Sequence, residues 1–173
     1  MALHHDEVIK IITDKLGKDL ISSEVRERHD GCFNRQTQRV IYLKVNTDAL
    51  HETVLTMRGI SILHLSCPMA TKEHEWGLEM LYIFTLFSGE GGFKEIPVII
   101  SVDLPADNLK IRSLTDIVPG ILIMEREAQE MLGIVVEDIP DKRHFFTPDN
   151  MGKGYFPLRN KVEPVDQGGG KDE

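Results

Sequence analysis

Glu125, Glu127 and Glu130 place three carboxylates within six residues, and a pair of carboxylates facing one substrate is what general acid–base hydrolysis requires. A helix advances about 100° per residue, which sets Glu125 and Glu130 about 140° apart. They cannot converge as an acid and a base. A metal site is the second chemistry to weigh, built from His64, Cys67 and His74, or from His4, His5 and Asp6. Neither set has the spacing of a zinc site, and a strand histidine is more often packed and hydrogen-bonded than ligating. The adjacent His4 and His5 read as a solvated end. Cys32 and Cys67 stand 35 positions apart with no CxxC pair, so no iron–sulfur ligand set is present either. The chain is expected to hold no cofactor of its own: any electron carrier belongs to a partner.

The elements that carry these residues must come from a chain of 173 residues, a length that normally builds one core. Its 41% hydrophobic and 28% charged composition is that of a soluble globular protein. No apolar run approaches the roughly 20 residues of a membrane helix. Glu7, Lys10 and Asp14 interrupt the N-terminal segment, unlike a secretory leader, and predict a cytoplasmic protein. A net charge of −8 opposes binding to nucleic acid and adhesion to an anionic bilayer.

Helical spacing of Val8, Ile9, Ile12 and Leu16 predicts a helix over 6–16, with Asp6 as N-cap and Gly17 as stop. Leu20 to His29 and Gln38 to Val45 are predicted to pair antiparallel around a turn at Asp30-Gly31. A helix capped by Asn46 or Thr47 should run to about Met57 and end at Gly59. Strands follow at Ile60 to Cys67, Trp76 to Phe87 and Pro97 to Leu104, with Gly89 to Gly92 as a turn. A last helix starts near Pro119, a residue tolerated in the first turn, and ends by Gly133. The order predicts an α+β domain, a mixed, largely antiparallel sheet with helices packed on it, over residues 1–137.

From Ile134 onward periodicity fades, and Pro140, Pro148, Pro157 and Pro164 recur every eight or nine residues. Residues 138–173 therefore read as an extended C-terminal arm. Phe145, Phe146, Tyr155, Phe156 and Leu158 give it more aromatic surface than a disordered tail carries. These rings either fold back on the chain's own sheet or wrap a partner, where aromatic and Arg anchors are enriched. The expectation is that Phe145 to Arg159 bury mainly against another subunit.

On the last helix, Ile121, Met124, Ala128, Met131 and Leu132 share an apolar arc that also contains Glu125. Burial of that carboxylate calls for a cation, Arg143 or Arg159. Arg126, Glu127 and Glu130 fall on the other side, where Arg126 and Glu130 are spaced to pair weakly.

In order and spacing, Ser113-Leu114-Thr115-Asp116-Ile117, Glu125-Arg126-Glu127, Glu130-Met131-Leu132-Gly133-Ile134 and Pro157-Leu158-Arg159 resemble the thirty-kilodalton (C) subunit family of respiratory complex I. That family has relatives in membrane-bound energy-converting NiFe hydrogenases and sulfur-reducing complexes. The correspondence is concentrated in the last third of the chain. Where the family commonly continues G-H-P-D-L-R-R, this chain has Asp138-Ile139-Pro140-Asp141-Lys142-Arg143-His144. Its P-L-R is followed by Asn160-Lys161 rather than K-D. These departures lean toward the hydrogenase-like branch. The resemblance implies a non-catalytic subunit on the cytoplasmic side of a membrane complex, docked to a large catalytic-type subunit and to iron–sulfur subunits. It also implies structural and interface roles for Glu125, Arg126, Glu127, Glu130, Gly133, Arg143, Phe145, Phe146, Tyr155, Phe156, Pro157 and Arg159. The rival reading is an independent binding module, which unlike an uncovered subunit should be monodisperse alone.

Overall fold

A computed structural model describes residues 4–30, 36–88, 94–148 and 154–159. The elements run α1 (His5–Leu16), β1 (Leu20–Asp30), β2 (Gln36–Val45), α2 (Leu50–Ile60), β3 (Ile62–His74), β4 (Gly77–Ser88), β5 (Lys94–Pro105), β6 (Lys110–Arg112), α3 (Leu122–Leu132) and β7 (Val135–Glu137). The first five strands form one sheet in the order β1-β2-β5-β4-β3. Only β2 and β5 run parallel in it; the other three pairings are antiparallel. This is the mixed, largely antiparallel α+β architecture that the element order predicts.

Strict alternation decides which face is inside. Ile41, Leu43 and Val45 of β2 lie level with Val98, Ile100 and Val102 of β5. The latter three pair with Phe84, Tyr82 and Met80 of β4. All nine are buried, each fully buried large side chain contributing about 1.5–3 kcal/mol relative to exposure. Val8 and Ile12 of α1, Leu50, Val54 and Met57 of α2, and Ala128 and Leu132 of α3 complete the same core. The opposite sheet face is mixed, with half-buried Leu81, Ile83 and Ile99 beside polar side chains. There Lys44 pairs with Asp103 at 2.7 Å, and the Arg26 guanidinium lies 4.0 Å from the centre of the Tyr42 ring.

Several boundaries differ from expectation. His4, not Asp6, precedes the first helical residue, and its N–H donates to the Glu7 carboxylate at 3.0 Å. Gly17 does end α1, with φ 55. Thr47 opens a single 3₁₀ turn before α2 and donates its hydroxyl to the Asp103 carbonyl at 3.0 Å instead of capping. Helix α2 continues through Gly59 to Ile60, because Ile60 still packs on the core. That packing outweighs the roughly 1 kcal/mol a helical glycine costs. Strand β3 extends to His74, since its polar half pairs with β4 as far as His74 and Gly77; Trp76 consequently lies in the turn and not in the strand. Asp30 is the last residue of β1 and pairs with Gln36, while Gly31 and the turn expected at Gly89 to Gly92 fall outside the described residues.

Strands β6 and β7 have no counterpart in the sequence pattern. Ile111 pairs parallel with Val136, and both are buried. Three residues are too few to display an alternation, and their partners are distant in sequence.

Candidate functional site

Helix α3 gathers the polar residues singled out above. A 3₁₀ turn over Pro119–Ile121 leads into it, and Gly133 ends it in the left-handed region at φ 73. That conformation suits glycine because L-residues place Cβ against the following carbonyl.

Glu125 is buried, 1% exposed, whereas Glu127 is half-buried, the order expected from the helix arc. Its expected arginine partner is not there. Instead Ser113 donates its hydroxyl to the carboxylate at 2.6 Å, and the Leu114 N–H donates at 2.8 Å. Neutral donors suffice because the loop after β6 folds over the helix and presents its hydroxyl and N–H together. Burial pushes the Glu125 carboxyl above its ordinary range, against these two donors and with the nearby Asp116 charge adding to the rise. The same loop reaches α2. His51 and Asp116 meet at 2.7 Å, and Arg58 donates to the Ile117 carbonyl at 2.7 Å. The Ser113-to-Ile117 run thus ties α2 to α3.

Arg126 and Glu130 do not lie on a solvated face, and no bond joins them among the described residues. They are 6% and 7% exposed, because residues 141–147 cross over them. Arg126 donates from Nε and Nη2 to the Arg143 carbonyl at 3.0 and 2.6 Å, and from Nη1 to Asp141 at 3.2 Å. The Phe145 ring centre lies 5.1 Å from its guanidinium. Glu130 accepts backbone N–H bonds from Phe145 at 2.6 Å and from Phe146 and Thr147 at 2.9 Å. The Thr147 hydroxyl adds a fourth at 3.0 Å. Burial alone would raise this carboxyl, but the donors together hold it below its ordinary range. Asp141 is held well below the carboxylate range, chiefly by the Arg143 side chain and N–H, with Arg126 adding to it.

A second stretch of the arm seals the end of α3. Phe156 lies against Gly133, where a Cβ would come within 2.6 Å of the ring. The Leu158 N–H donates to the Met131 carbonyl at 3.0 Å, and Arg159 reaches the Leu132 carbonyl at 3.5 Å and Glu73 of β3 at 3.0 Å. Carbonyls at a helix end lack intrahelical partners, and Pro157-Leu158-Arg159 supplies them.

Asp138, at the position where the resembled family carries glycine, is the one described non-glycine residue with positive φ, at 60°. Tyr155, Phe156 and Pro157 are half-buried, while Phe145 and Phe146 are 60% and 41% exposed. Sequence reasoning did not single out Thr147, Glu73 or Ser113 as partners. Ser113 and Asp141 lie in the Ser113-to-Ile117 and Pro140-Asp141 elements of the family resemblance, the signal the sequence offers for them.

Chemically, the arrangement fixes backbone. Glu125 is inaccessible, the Glu130 oxygens are occupied by donors, and the two carboxylates do not face a common space. Of the candidate metal residues, His64 and His74 are exposed, and Cys67's side chain lies outside the described residues. No group of three or more potential metal ligands occurs among the described residues.

Residues 43–167 match the family described as "Respiratory-chain NADH dehydrogenase, 30 Kd subunit". The chain is 27% identical over 155 residues to membrane-bound hydrogenase subunit beta of Pyrococcus furiosus, spanning 85% of this chain and 87% of that one. Its fold is similar to a chain of the membrane-bound sulfane sulfur reductase, an archaeal respiratory membrane complex, with TM-score 0.69 and 16% identity over 92% of this chain and 86% of the other. It is also similar to a trypsin-resistant fragment of Nqo5, with TM-score 0.55 and 15% identity over 79% and 97% of the two chains.

Proposed function

The chain belongs to the 30-kilodalton subunit family of the respiratory-chain NADH dehydrogenase, and from that premise we propose that it is a non-catalytic structural subunit of a membrane-bound, complex I-related oxidoreductase. Its relation to a membrane-bound hydrogenase beta subunit favours the hydrogenase-like branch over a quinone- or sulfur-reducing one. In this reading the core of residues 1–137 is a mount, and the arm of residues 138–173 docks the large catalytic-type subunit and its iron–sulfur neighbours. The complex places it peripherally, on the cytoplasmic side of the membrane. No described helix is long and apolar enough to cross a membrane.

The observation that carries this reading is the division within the arm. Its backbone is bonded inward to Arg126 and Glu130, yet Phe145 and Phe146 remain exposed. A segment fixed at such cost in conformational freedom, with its apolar side outward, suits permanent contact with another chain. Truncation after Glu137 tests it. All seven described strands end by that point, so the shortened chain should keep its strand and helix circular dichroism, at lower thermal stability because Arg126 and Glu130 lose their partners, but fail to co-purify with the hydrogenase-type subunits of its host. A shortened chain that stays folded and assembles normally refutes the role given to the arm.

A further inference from the structure

The run Lys142-Arg143-His144-Phe145-Phe146 combines three basic residues with two aromatic ones and contains no acid, in a chain whose net charge is −8. All five residues are exposed, the Arg143 and His144 side chains by 84% and 71%. The acids beside the run are turned inward. Asp141 is engaged by both Arg143 and Arg126, and Glu130 is buried beneath the loop with its oxygens occupied. With Arg143 held by Asp141 and Lys142 and His144 beside it, the outer surface of the loop carries more basic than acidic groups around an apolar centre.

Its shape is set before any partner arrives. Three successive N–H groups are held by Glu130, the Arg143 carbonyl by Arg126, and the two rings meet edge to face at 4.8 Å. Preorganised aromatic side chains lose little freedom on binding and make strong anchors. We infer that residues 142–146 form a rigid docking knob for an acidic-rimmed apolar socket on another protein subunit. Phe145 and Phe146 enter the socket, and Lys142, Arg143 and His144 face carboxylates at its rim. This rests on the scaffold reading above and adds the chemistry of the surface that the arm seeks. A lipid surface fits less well: basic membrane sites use clusters of about four to eight Lys and Arg, whereas this loop has two, one of them already paired to Asp141.

The test uses full-length tagged chain and the rest of the native membrane complex, purified from cells lacking this subunit. Wild-type chain should rejoin it, with affinity that falls as salt rises toward about 0.5 M. Phe145→Ala/Phe146→Ala should weaken rejoining by about thirty-fold or more, and Lys142→Glu by about ten-fold at low salt, a difference that shrinks in high salt. These side chains are exposed, so unchanged circular dichroism is expected for every variant. If wild-type chain does not rejoin at all, the scaffold reading itself fails. If wild-type and variants rejoin alike, the knob alone is refuted. Loss with the phenylalanine pair but indifference to Lys142→Glu and to salt overturns the acidic rim. Phosphatidylglycerol vesicles provide the remaining arm: binding that the phenylalanine pair abolishes, with rejoining unchanged, identifies a membrane site and overturns the proposal.

Discussion

Replacing Gly133 with alanine puts a methyl group where two separate restrictions meet. The first is backbone: at φ 73 an L-residue costs about 1–2 kcal/mol in the left-handed region. The second is packing, because the new Cβ would stand 2.6 Å from the Phe156 ring, well inside van der Waals contact. Phe156 must move, and with it the Leu158 and Arg159 bonds that finish α3, each worth about 0.5–1.5 kcal/mol. Gly133→Ala should therefore destabilise by about 2–5 kcal/mol. In a Phe156→Ala background only the backbone part remains, about 1–2 kcal/mol. Urea denaturation of the wild type, both single variants and the double variant, at equal m-values, reads the coupling as the difference. Equal costs of Gly133→Ala in the two backgrounds would show that Phe156 is not seated on Gly133. A cost near zero in both would remove the left-handed helix end as well.

Glu130→Gln leaves a single carbonyl oxygen where a carboxylate served four donors, and should cost about 1.5–3 kcal/mol at neutral pH. The folded carboxyl titrates below its ordinary 4.5, so its contribution is complete above that pH and is lost as pH falls through the folded value. The gap between the wild type and Glu130→Gln should narrow over that acid window, and hydrogen exchange at Phe145, Phe146 and Thr147 should be faster in the variant at neutral pH; a constant gap refutes the cradle. Glu125→Ala strands the Leu114 N–H and loosens Ser113, and should cost about 1–3 kcal/mol, against under about 1 kcal/mol for Glu127→Ala; equal thermal shifts would mean the helix face is misplaced. Asp138→Gly relieves a left-handed aspartate, about 1–2 kcal/mol, against about 0.5–1 kcal/mol of added chain entropy, and should raise stability by about 0.5–1 kcal/mol, read as a higher urea midpoint; a lower midpoint would show that the chain entropy and the exposed Arg112–Asp138 pair matter more.

Much of the architecture is legible in local pattern. The β-branched and aromatic runs of β4 and β5 mark them as strands, although Leu81, Ile83 and Ile99 leave both faces apolar and the buried one to be decided by packing; the apolar arc of α3 separates Glu125 from Glu127, because it depends only on side-chain direction along one element. The Gly133 stop is equally local, a matter of one residue's φ. The motif spacing around Glu125, Glu130 and Pro157-Leu158-Arg159 points to the family without any structure. What no pattern could supply is the identity of non-local partners. A buried carboxylate demands donors, but whether these are an arginine or a hydroxyl and an N–H depends on which loop passes over it, here Ser113 and Leu114. Arg126 and Glu130 look like a solvated pair on a helical wheel, since the wheel knows nothing of the irregular segment that crosses them. The pairing of β6 with β7, the seating of Phe156 on Gly133 and the outward turn of Phe145 and Phe146 are likewise products of chain crossing. Sequence sets each element's own preference; only the packed chain decides which donors and surfaces its irregular segments bring to that element.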